Sequence, residues 1–284
     1  MGYLLLFSDI AVVVLQNALQ NALGIRVLKT GADVYRFNAY TYVVCVAAFA
    51  ALAIGRPISL YSLVLGSVFG LLTVLAGVCK IKALAAGPMH MTVLITTSSM
   101  IIPSLAGVVW FGEPLRVEKL IATVALIVFL FFSLDWGKGS GRSTNGPWLW
   151  ACVVAFFSMG GIGVLQKIHQ SSSHKNELFG FLACSFLLSF VYAWIASRRG
   201  AVTIRPERRV IVPVLLSGLF SFTMNYWGLK LSGMLPSQIY FPLLNGSAIV
   251  LSSLCAVVIF KERISRRQII GLVGGVVSLV VLCL

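Results

Sequence analysis

Charged side chains are scarce in this sequence. Of its 284 residues, 11% are charged and only eight are acidic, whereas 59% are hydrophobic. Soluble domains carry about a quarter charged residues, because a surface exposed to water has to be covered. We therefore exclude a soluble globular protein and predict an integral membrane protein. The formal net charge of +14 is then typical of basic cytoplasmic loops, and we predict no binding to nucleic acid.

Paired cysteines and clustered histidines are missing as well. The six cysteines each stand alone in apolar stretches, and the three histidines show no spacing of metal ligands. We predict no metal and no cofactor. A membrane-embedded enzyme would need convergent catalytic groups, such as an acid pair or a Ser–His arrangement, and none is evident. We therefore predict no catalytic residues and no enzyme activity.

Long apolar runs fill most of the chain. Each bilayer crossing takes about 20 apolar residues, and charge, glycine and proline divide the sequence into ten such runs. We predict membrane-spanning helices at 3–23, 37–55, 61–79, 89–110, 118–134, 148–168, 178–196, 210–229, 237–259 and 267–283. The polar segment 135–147 divides them five and five, and its glycine and serine content is typical of a flexible linker.

Two short stretches of the first half return in the second half. Leu15–Gln20 matches Leu165–Gln170 at an offset of 150 residues, and Phe111–Leu115 matches Phe260–Ile264 at an offset of 149. Five crossings per copy would place the second copy upside down in the bilayer. Inverted repeats of this kind build secondary transporters. The predicted fold is therefore all-α, with ten transmembrane helices arranged as two inverted five-helix repeats.

These features resemble the EamA-type, ten-helix branch of the drug/metabolite transporter superfamily. Each copy has a glutamate just after its fourth helix, Glu113 or Glu262, followed by a short polar turn and a fifth helix rich in glycine or alanine. The resemblance covers essentially the whole chain, as repeats over 1–134 and 148–284. It implies transport of a small molecule, and a bacterial exporter in the cytoplasmic membrane is the closer likeness. It does not name a substrate.

Polar side chains inside apolar helices mark the expected solute path, because they cost free energy unless they are paired or hydrated. Gln16, Asn17 and Gln20 form one stripe of the first span, since residues four apart share a helix face. The alternative is that they only bond neighbouring helices together. With polar residues of four other spans, the predicted cavity is lined by Gln16, Asn17, Gln20, Thr96, Gln166, Asn225, Tyr226, Tyr240 and Asn245.

Asp9 is the one acid of the eight that lies within an apolar run. A charge near the bilayer centre costs about 2.5–3.5 kcal/mol on insertion scales. A carboxyl group kept at that cost suits proton coupling or the anchoring of a cationic substrate. The alternative is that the first span begins later and leaves Asp9 near the membrane surface.

Three lysines offer a different chemistry. Lys80 and Lys82 end the third span, and Lys230 ends the eighth. Lysines at helix C-termini complement the helix dipole and reach lipid headgroups. Alternatively, the three are candidates to bind an anionic metabolite, such as a phosphate-bearing compound or a nucleotide sugar.

A solute or ion channel is the alternative from another class of function, but the clustering of polar residues in a few spans argues against it.

Loop charges and glycine spacings complete the prediction. Odd-numbered loops hold 16 and even-numbered loops 6 of the 22 basic residues. The positive-inside rule then places the odd-numbered loops in the cytoplasm, whereas the resemblance implies that both termini lie there. Gly66–Gly70 and Gly271–Gly275 have the small-x-x-x-small spacing of helix contacts, and the face of the tenth span would also allow a homodimer.

We predict a proton-coupled exporter of a small organic metabolite or drug, working by alternating access, whose partners are its substrate and the lipid bilayer.

Overall fold

The structure is a computed structural model that describes residues 2–26, 30–86, 92, 95–96, 98–133, 146–201, 208–260 and 266–283. Regular structure in these ranges is entirely helical, which confirms the predicted all-α fold for this part of the chain. The α-helices are α1 (Gly2–Arg26), α2 (Gly31–Ala53), α3 (Leu60–Ala86), α4 (Ile101–Phe111), α5 (Val117–Ser133), α6 (Gly146–Ser171), α7 (Leu178–Ser197), α8 (Arg208–Met234), α9 (Ser237–Phe260) and α10 (Arg266–Cys283). A 3₁₀-helix at Lys175–Glu177 joins α6 to α7.

Five of the described helices, α2, α3, α6, α7 and α8, are long and apolar enough to cross a membrane. This is the composition of a membrane protein. That all ten predicted spans cross the bilayer, and that 1–134 and 148–284 are inverted copies, stay predictions. Most of the predicted linker 135–147 lies outside the described residues, as does much of the first part of the predicted span 89–110.

The chain packs as two units, and each takes segments from both halves of the sequence. Unit A comprises Tyr3–Val74 and Ile168–Lys230, and unit B comprises Leu75–Lys167 and Leu231–Leu284. Tertiary packing therefore does not follow the division of the sequence at the linker.

A capping box starts α2 earlier than the hydropathy pattern predicts. The side chain of Thr30 accepts a hydrogen bond from the backbone N–H of Asp33, and the Asp33 carboxylate accepts one from the N–H of Thr30. These bonds satisfy donors that a helix start leaves open. The helix thus begins at Gly31 rather than at residue 37, in a polar turn that hydropathy alone does not detect.

Hydrogen bonds join two pairs of connecting segments within unit A. The hydroxyl of Thr30, after α1, donates to the carbonyl oxygen of Ala201, after α7, over 3.1 Å. The hydroxyl of Ser59, after α2, donates to Glu177, after α6, over 2.5 Å. A ring nitrogen of His174 lies 2.8 Å from the other carboxylate oxygen of Glu177. The first contact holds the end of α1 beside the end of α7, and the second holds the end of α2 beside the end of α6.

In unit A, α3 and α7 approach backbone to backbone. A Cβ atom added at Gly66 would lie 2.6 Å from the carbonyl oxygen of Phe181, and one added at Gly70 would lie 2.5 Å from that of Ser185. The hydroxyls of Ser185 and Ser189 bond to carbonyl oxygens one turn earlier on α7, over 2.7 and 3.0 Å. The Gly66–Gly70 spacing predicts such a contact, and the structure shows it.

In unit B, α5 packs along α10, and α9 contacts both of them. Lys119 of α5 is 2% exposed. Its ammonium group donates to the carbonyl oxygens of Val281 and Leu282, over 3.2 and 3.1 Å. These carbonyls belong to the last turn of α10, which lacks intrahelical donors, and a cation there also complements the helix dipole.

Replacing Gly70 by alanine should destabilise the protein, because the new methyl group would overlap the carbonyl oxygen of Ser185. Overpacking costs about 1–3 kcal/mol, so we expect a clear fall in the melting temperature of the purified protein in detergent. Gly77→Ala on the same helix is the matched control, since nothing lies within 4 Å of a Cβ atom there. Equal melting temperatures for the two variants would contradict the close contact of α3 with α7.

Candidate functional site

Asp9 lies on α1 among apolar neighbours and is buried. The residue is 1% exposed, and neither carboxylate oxygen has a hydrogen-bond partner among the described residues. Leu6 and Ile10, on the same part of the helix, are also buried. A buried carboxylate without partners is costly. The position therefore suits a carboxyl group that is neutral, or one that meets a cation, during the protein's working cycle.

Gln16 lies two turns beyond Asp9 on nearly the same face of α1. It is 4% exposed, and its side-chain amide donates to the hydroxyl oxygens of Ser217 and Ser221 on α8, over 2.8 and 3.4 Å. Its own amide oxygen is buried and has no partner among the described residues. Gln16 therefore packs against α8 and bonds to it through the N–H groups of its amide, while the amide oxygen stays without a described partner.

The remainder of the predicted α1 stripe cannot be placed. The side chains of Asn17 and Gln20 lie outside the described residues, as does Glu262, the second glutamate of the repeat.

Buried side-chain atoms without a hydrogen-bond partner are confined to unit A in the part of the chain that the structure describes. They are both carboxylate oxygens of Asp9, Oε1 of Gln16, Nε of Arg36, Oγ1 of Thr41 and Nε2 of His169. Buried polar groups in folded proteins are nearly always bonded. Among the described residues, unit A is therefore the unit that holds buried polar atoms without a hydrogen bond.

Asn225 and Tyr226, two further predicted cavity residues, lie on α8 in unit A. The Asn225 amide donates to the carbonyl oxygen of Ser221 in its own helix, over 2.8 Å. The Tyr226 ring stacks between Phe179 and Phe222, with centroids 5.7 and 6.2 Å away. Both residues are partly exposed.

The other predicted cavity residues belong to unit B. The Thr96 hydroxyl donates to the carbonyl oxygen of Thr92 over 2.9 Å, and Tyr240 is 1% exposed. Gln166 is partly exposed, and Asn245 is exposed and bonded to its own helix. Thr96 and Tyr240 are thus buried in unit B, and their role as cavity lining stays a prediction.

The three candidate anion-binding lysines are divided between the units. Lys80, partly exposed, and Lys82, exposed, belong to unit B, whereas Lys230 belongs to unit A. The Lys230 ammonium lies 4.7 Å from the centre of the Tyr226 ring, a cation–π contact. None of the three forms an ion pair with another described residue.

One charged cluster among the described residues was not predicted from the sequence. Glu113, after α4, forms a 2.6 Å ion pair with Lys167 near the end of α6. It also accepts hydrogen bonds from the backbone N–H and the hydroxyl of Ser237 at the start of α9, over 2.7 and 3.1 Å. Lys167 donates further to the carbonyl oxygen of Leu235, over 3.3 Å. This Glu113 network neutralises both charges and connects α4, α6 and α9 within unit B.

A left-handed turn positions the carboxylate of this network. Gly112 ends α4 with a φ of 65°, a conformation that favours glycine. The N–H of Glu113 then bonds back to the carbonyl oxygen of Gly107 over 3.0 Å. A Cβ atom at Gly107 would collide with the Glu113 carboxylate and with Ser237. The Gly-Glu dipeptide after an apolar helix is the sequence signal for this turn, but the partner Lys167 lies far along the chain.

Comparisons with known proteins identify the fold only. No family model matches the chain, and no curated protein matches its sequence. A solved structure named only "Crystal structure of protein" superposes with a TM-score of 0.75 over 99% of this chain and 95% of that chain. The two sequences are 15% identical. This chain is therefore similar in fold to an experimentally determined structure over nearly its whole length.

Replacing Glu113 by glutamine should destabilise the protein strongly, because the buried Lys167 ammonium loses its counter-charge. Removing one partner of a buried ion pair costs about 3–5 kcal/mol, which thermal unfolding in detergent would detect. The double variant Glu113→Gln/Lys167→Met should recover part of the loss, since no unpaired charge remains. Glu118→Gln, at an exposed acid of α5, is the control. A melting temperature for Glu113→Gln equal to that of this control would contradict a structural role for the pair.

Proposed function

We propose that the chain is a secondary active transporter that exports a small organic metabolite or drug by alternating access, coupled to protons through Asp9. The observation that carries the proposal is the buried Asp9 carboxyl, with neither oxygen bonded, in a helical chain of membrane-type composition. Ionisable residues inside membrane helices are rare and mark ion pathways and proton relays. A carboxyl that binds and releases a proton can link solute movement to the proton gradient.

The contacts between connecting segments support a chain that crosses the bilayer with every predicted span. Such a chain returns to the same side after each even number of crossings. Thr30 and Ala201, bonded in unit A, are separated by six predicted spans, and Ser59 and Glu177 by four. In unit B, Glu113 and Lys167, at the end of the predicted sixth span, are separated by two spans, and Glu113 and Ser237 by four. Every count is even, which argues against a missed crossing between these residues.

The division into two units also supports the proposal. Alternating access works by the movement of one packed body against another. The chain has two packed units, and each takes helices from both halves of the sequence. A channel, which conducts without such movement, has no need of this division.

The choice between a cationic or drug-like substrate and an anionic metabolite depends on which charged group meets it. Asp9, the acid of unit A without a described partner, favours a cationic or drug-like substrate, because it is more deeply buried than Lys80, Lys82 and Lys230. Lys167, the buried lysine near the end of α6, is already neutralised by Glu113. Loss of transport in Lys80→Gln, with transport retained in Asp9→Asn, would favour the anionic metabolite instead.

Asp9→Asn should fold normally but lose proton-coupled transport. A ligand is first found among metabolites and drugs by the rise it causes in the melting temperature, since a compound bound only by the folded state stabilises it. That ligand is then added to proteoliposomes containing a pH-sensitive dye. We expect proton movement driven by the ligand in the wild type and in the Glu118→Gln control, and its loss in Asp9→Asn. Unchanged proton movement in Asp9→Asn would refute the role of this carboxyl.

Cysteine labelling should reveal the orientation of the chain. In a background with all six native cysteines replaced by alanine, Ser140→Cys lies in loop 5 and Ser173→Cys in loop 6. The positive-inside rule predicts that a membrane-impermeant maleimide on intact cells labels Ser173→Cys and not Ser140→Cys. The reverse pattern would place both termini inside. Labelling of both sites would contradict a crossing by α6.

A further inference from the structure

Two arginines of unit A converge on one indole ring. The guanidinium carbon of Arg36, on α2, lies 4.0 Å from the centre of the Trp194 ring, and that of Arg198 lies 5.7 Å from it. Nε of Arg36 is buried and has no hydrogen-bond partner, and neither arginine forms an ion pair, as far as the described residues go. Arg199, next in the chain, is exposed. We call Arg36, Arg198 and Arg199 the basic cluster; it holds one buried donor, Nε of Arg36, that no described acceptor meets.

An apolar groove continues from the basic cluster. Tyr40 lies one turn beyond Arg36 on α2, and its ring centre is 6.4 Å from that of Trp194. Tyr40 lines a groove of about 220 Å³ between α2 and the first turns of α8. The groove is lined by Tyr40, Val43, Val210, Ile211, Val214 and Leu215.

The groove opens to the surroundings of the protein, and its lining suits hydrocarbon. Val43, Ile211 and Leu215 are 43, 44 and 54% exposed. Val210 and Val214 form its floor, since they are buried in a cluster with Phe37. Along α2, a cation with one buried donor that no described residue bonds is therefore followed by an amphipathic aromatic ring, Tyr40, and then by the exposed Val43.

We propose that the basic cluster and this groove together bind one anionic phospholipid. The phosphate and headgroup accept hydrogen bonds from Arg36 and Arg198, because guanidinium groups bond phosphate oxygens strongly. An acyl chain lies in the groove beneath Tyr40. Trp194 and Tyr40 mark the level of the headgroups, where aromatic residues concentrate in membrane proteins. By the predicted spans, Arg36 ends the first connection and Arg198 and Arg199 lie in the seventh, and the cytoplasmic leaflet that these odd-numbered connections are predicted to face carries the anionic lipids.

The shape of the site favours a lipid over a free anion. A small anion would use the guanidinium groups and leave the groove uncovered. A zwitterionic lipid would fill the groove but bring no net charge to the basic cluster. Only a ligand with an anionic head and an aliphatic tail uses both parts. The inference rests on the membrane composition of the chain and is independent of the proposed transport activity.

The test compares lipids bound to the purified full-length protein in detergent, by native mass spectrometry and by thermal unfolding with added lipid. The lipids are phosphatidylglycerol and phosphatidylcholine with identical acyl chains. We expect preferential retention of phosphatidylglycerol and a larger rise in melting temperature with it. A charge-assisted hydrogen bond contributes about 1.5–3 kcal/mol, so Arg36→Gln and Arg198→Gln should each weaken phosphatidylglycerol binding about tenfold or more.

Two further variants separate the head and tail contacts. Arg56→Gln is the matched control, since Arg56 is an exposed arginine of unit A that also lies over an aromatic ring, 4.5 Å from that of Phe179. It should bind phosphatidylglycerol as the wild type does. Val43→Trp fills the groove from an exposed position and should weaken binding with the arginines intact. If Arg36→Gln fails to fold, Arg198→Gln still tests the proposal, because Arg198 is exposed and its replacement should leave the fold intact.

Four outcomes would overturn the proposal. They are equal retention of the two lipids, a loss in Arg56→Gln as large as in Arg198→Gln, and full binding by Val43→Trp. The fourth is stabilisation by inorganic phosphate alone equal to that by phosphatidylglycerol, which would show a site for free anions.

Discussion

Inside a bilayer there is no water to bond a polar group, so each one has to find its partner within the protein. This constraint accounts for most of the polar chemistry in the described structure. Serine hydroxyls on the helices turn back to carbonyl oxygens one turn earlier, as in Ser185, Ser189 and Ser278. Lys119 binds the last carbonyl oxygens of α10, and Lys167 binds Glu113. Helices with few charges can pack closely because the charges they do bury are neutralised in this way.

A few buried polar atoms have no hydrogen-bond partner among the described residues, and they are the candidates for a functional role. Among the described residues, the buried atoms without partners lie in unit A, and Asp9 contributes two of them. Arg36 differs from Asp9 because it lies close to a helix end and beside the exposed Arg198 and Arg199. An interior acid fits a group that gains and loses a proton. A cation near a helix end fits a partner supplied by the membrane itself.

The course of the helices is largely predictable from the sequence, because burial in hydrocarbon leaves its pattern along the chain. The predicted spans 178–196 and 237–259 correspond to Leu178–Ser197 and Ser237–Phe260. The start of α2 differs because a local capping box, rather than hydropathy, decides it. The pairing of Glu113 with Lys167 was beyond prediction, since it joins residues far apart in the chain through tertiary packing. Tertiary packing also assigns residues to units in a way that the sequence pattern does not show. Gln16 and Thr96, both predicted to line the cavity, belong to different units.

The close approach of α3 to α7 restricts how unit A can deform. Gly66 and Gly70 lie directly against the α7 backbone, with no side chain of α3 in between at these two positions. Helices that slide past each other in shear motions do so on flexible side chains that change rotamer. Gly66 and Gly70 have no side chain to repack, and the hydroxyls of Ser185 and Ser189 on the opposite helix are bound to main-chain carbonyl oxygens. The turns of α3 and α7 that meet at these glycines therefore resist sliding past each other, and shear between helices of unit A is easier elsewhere.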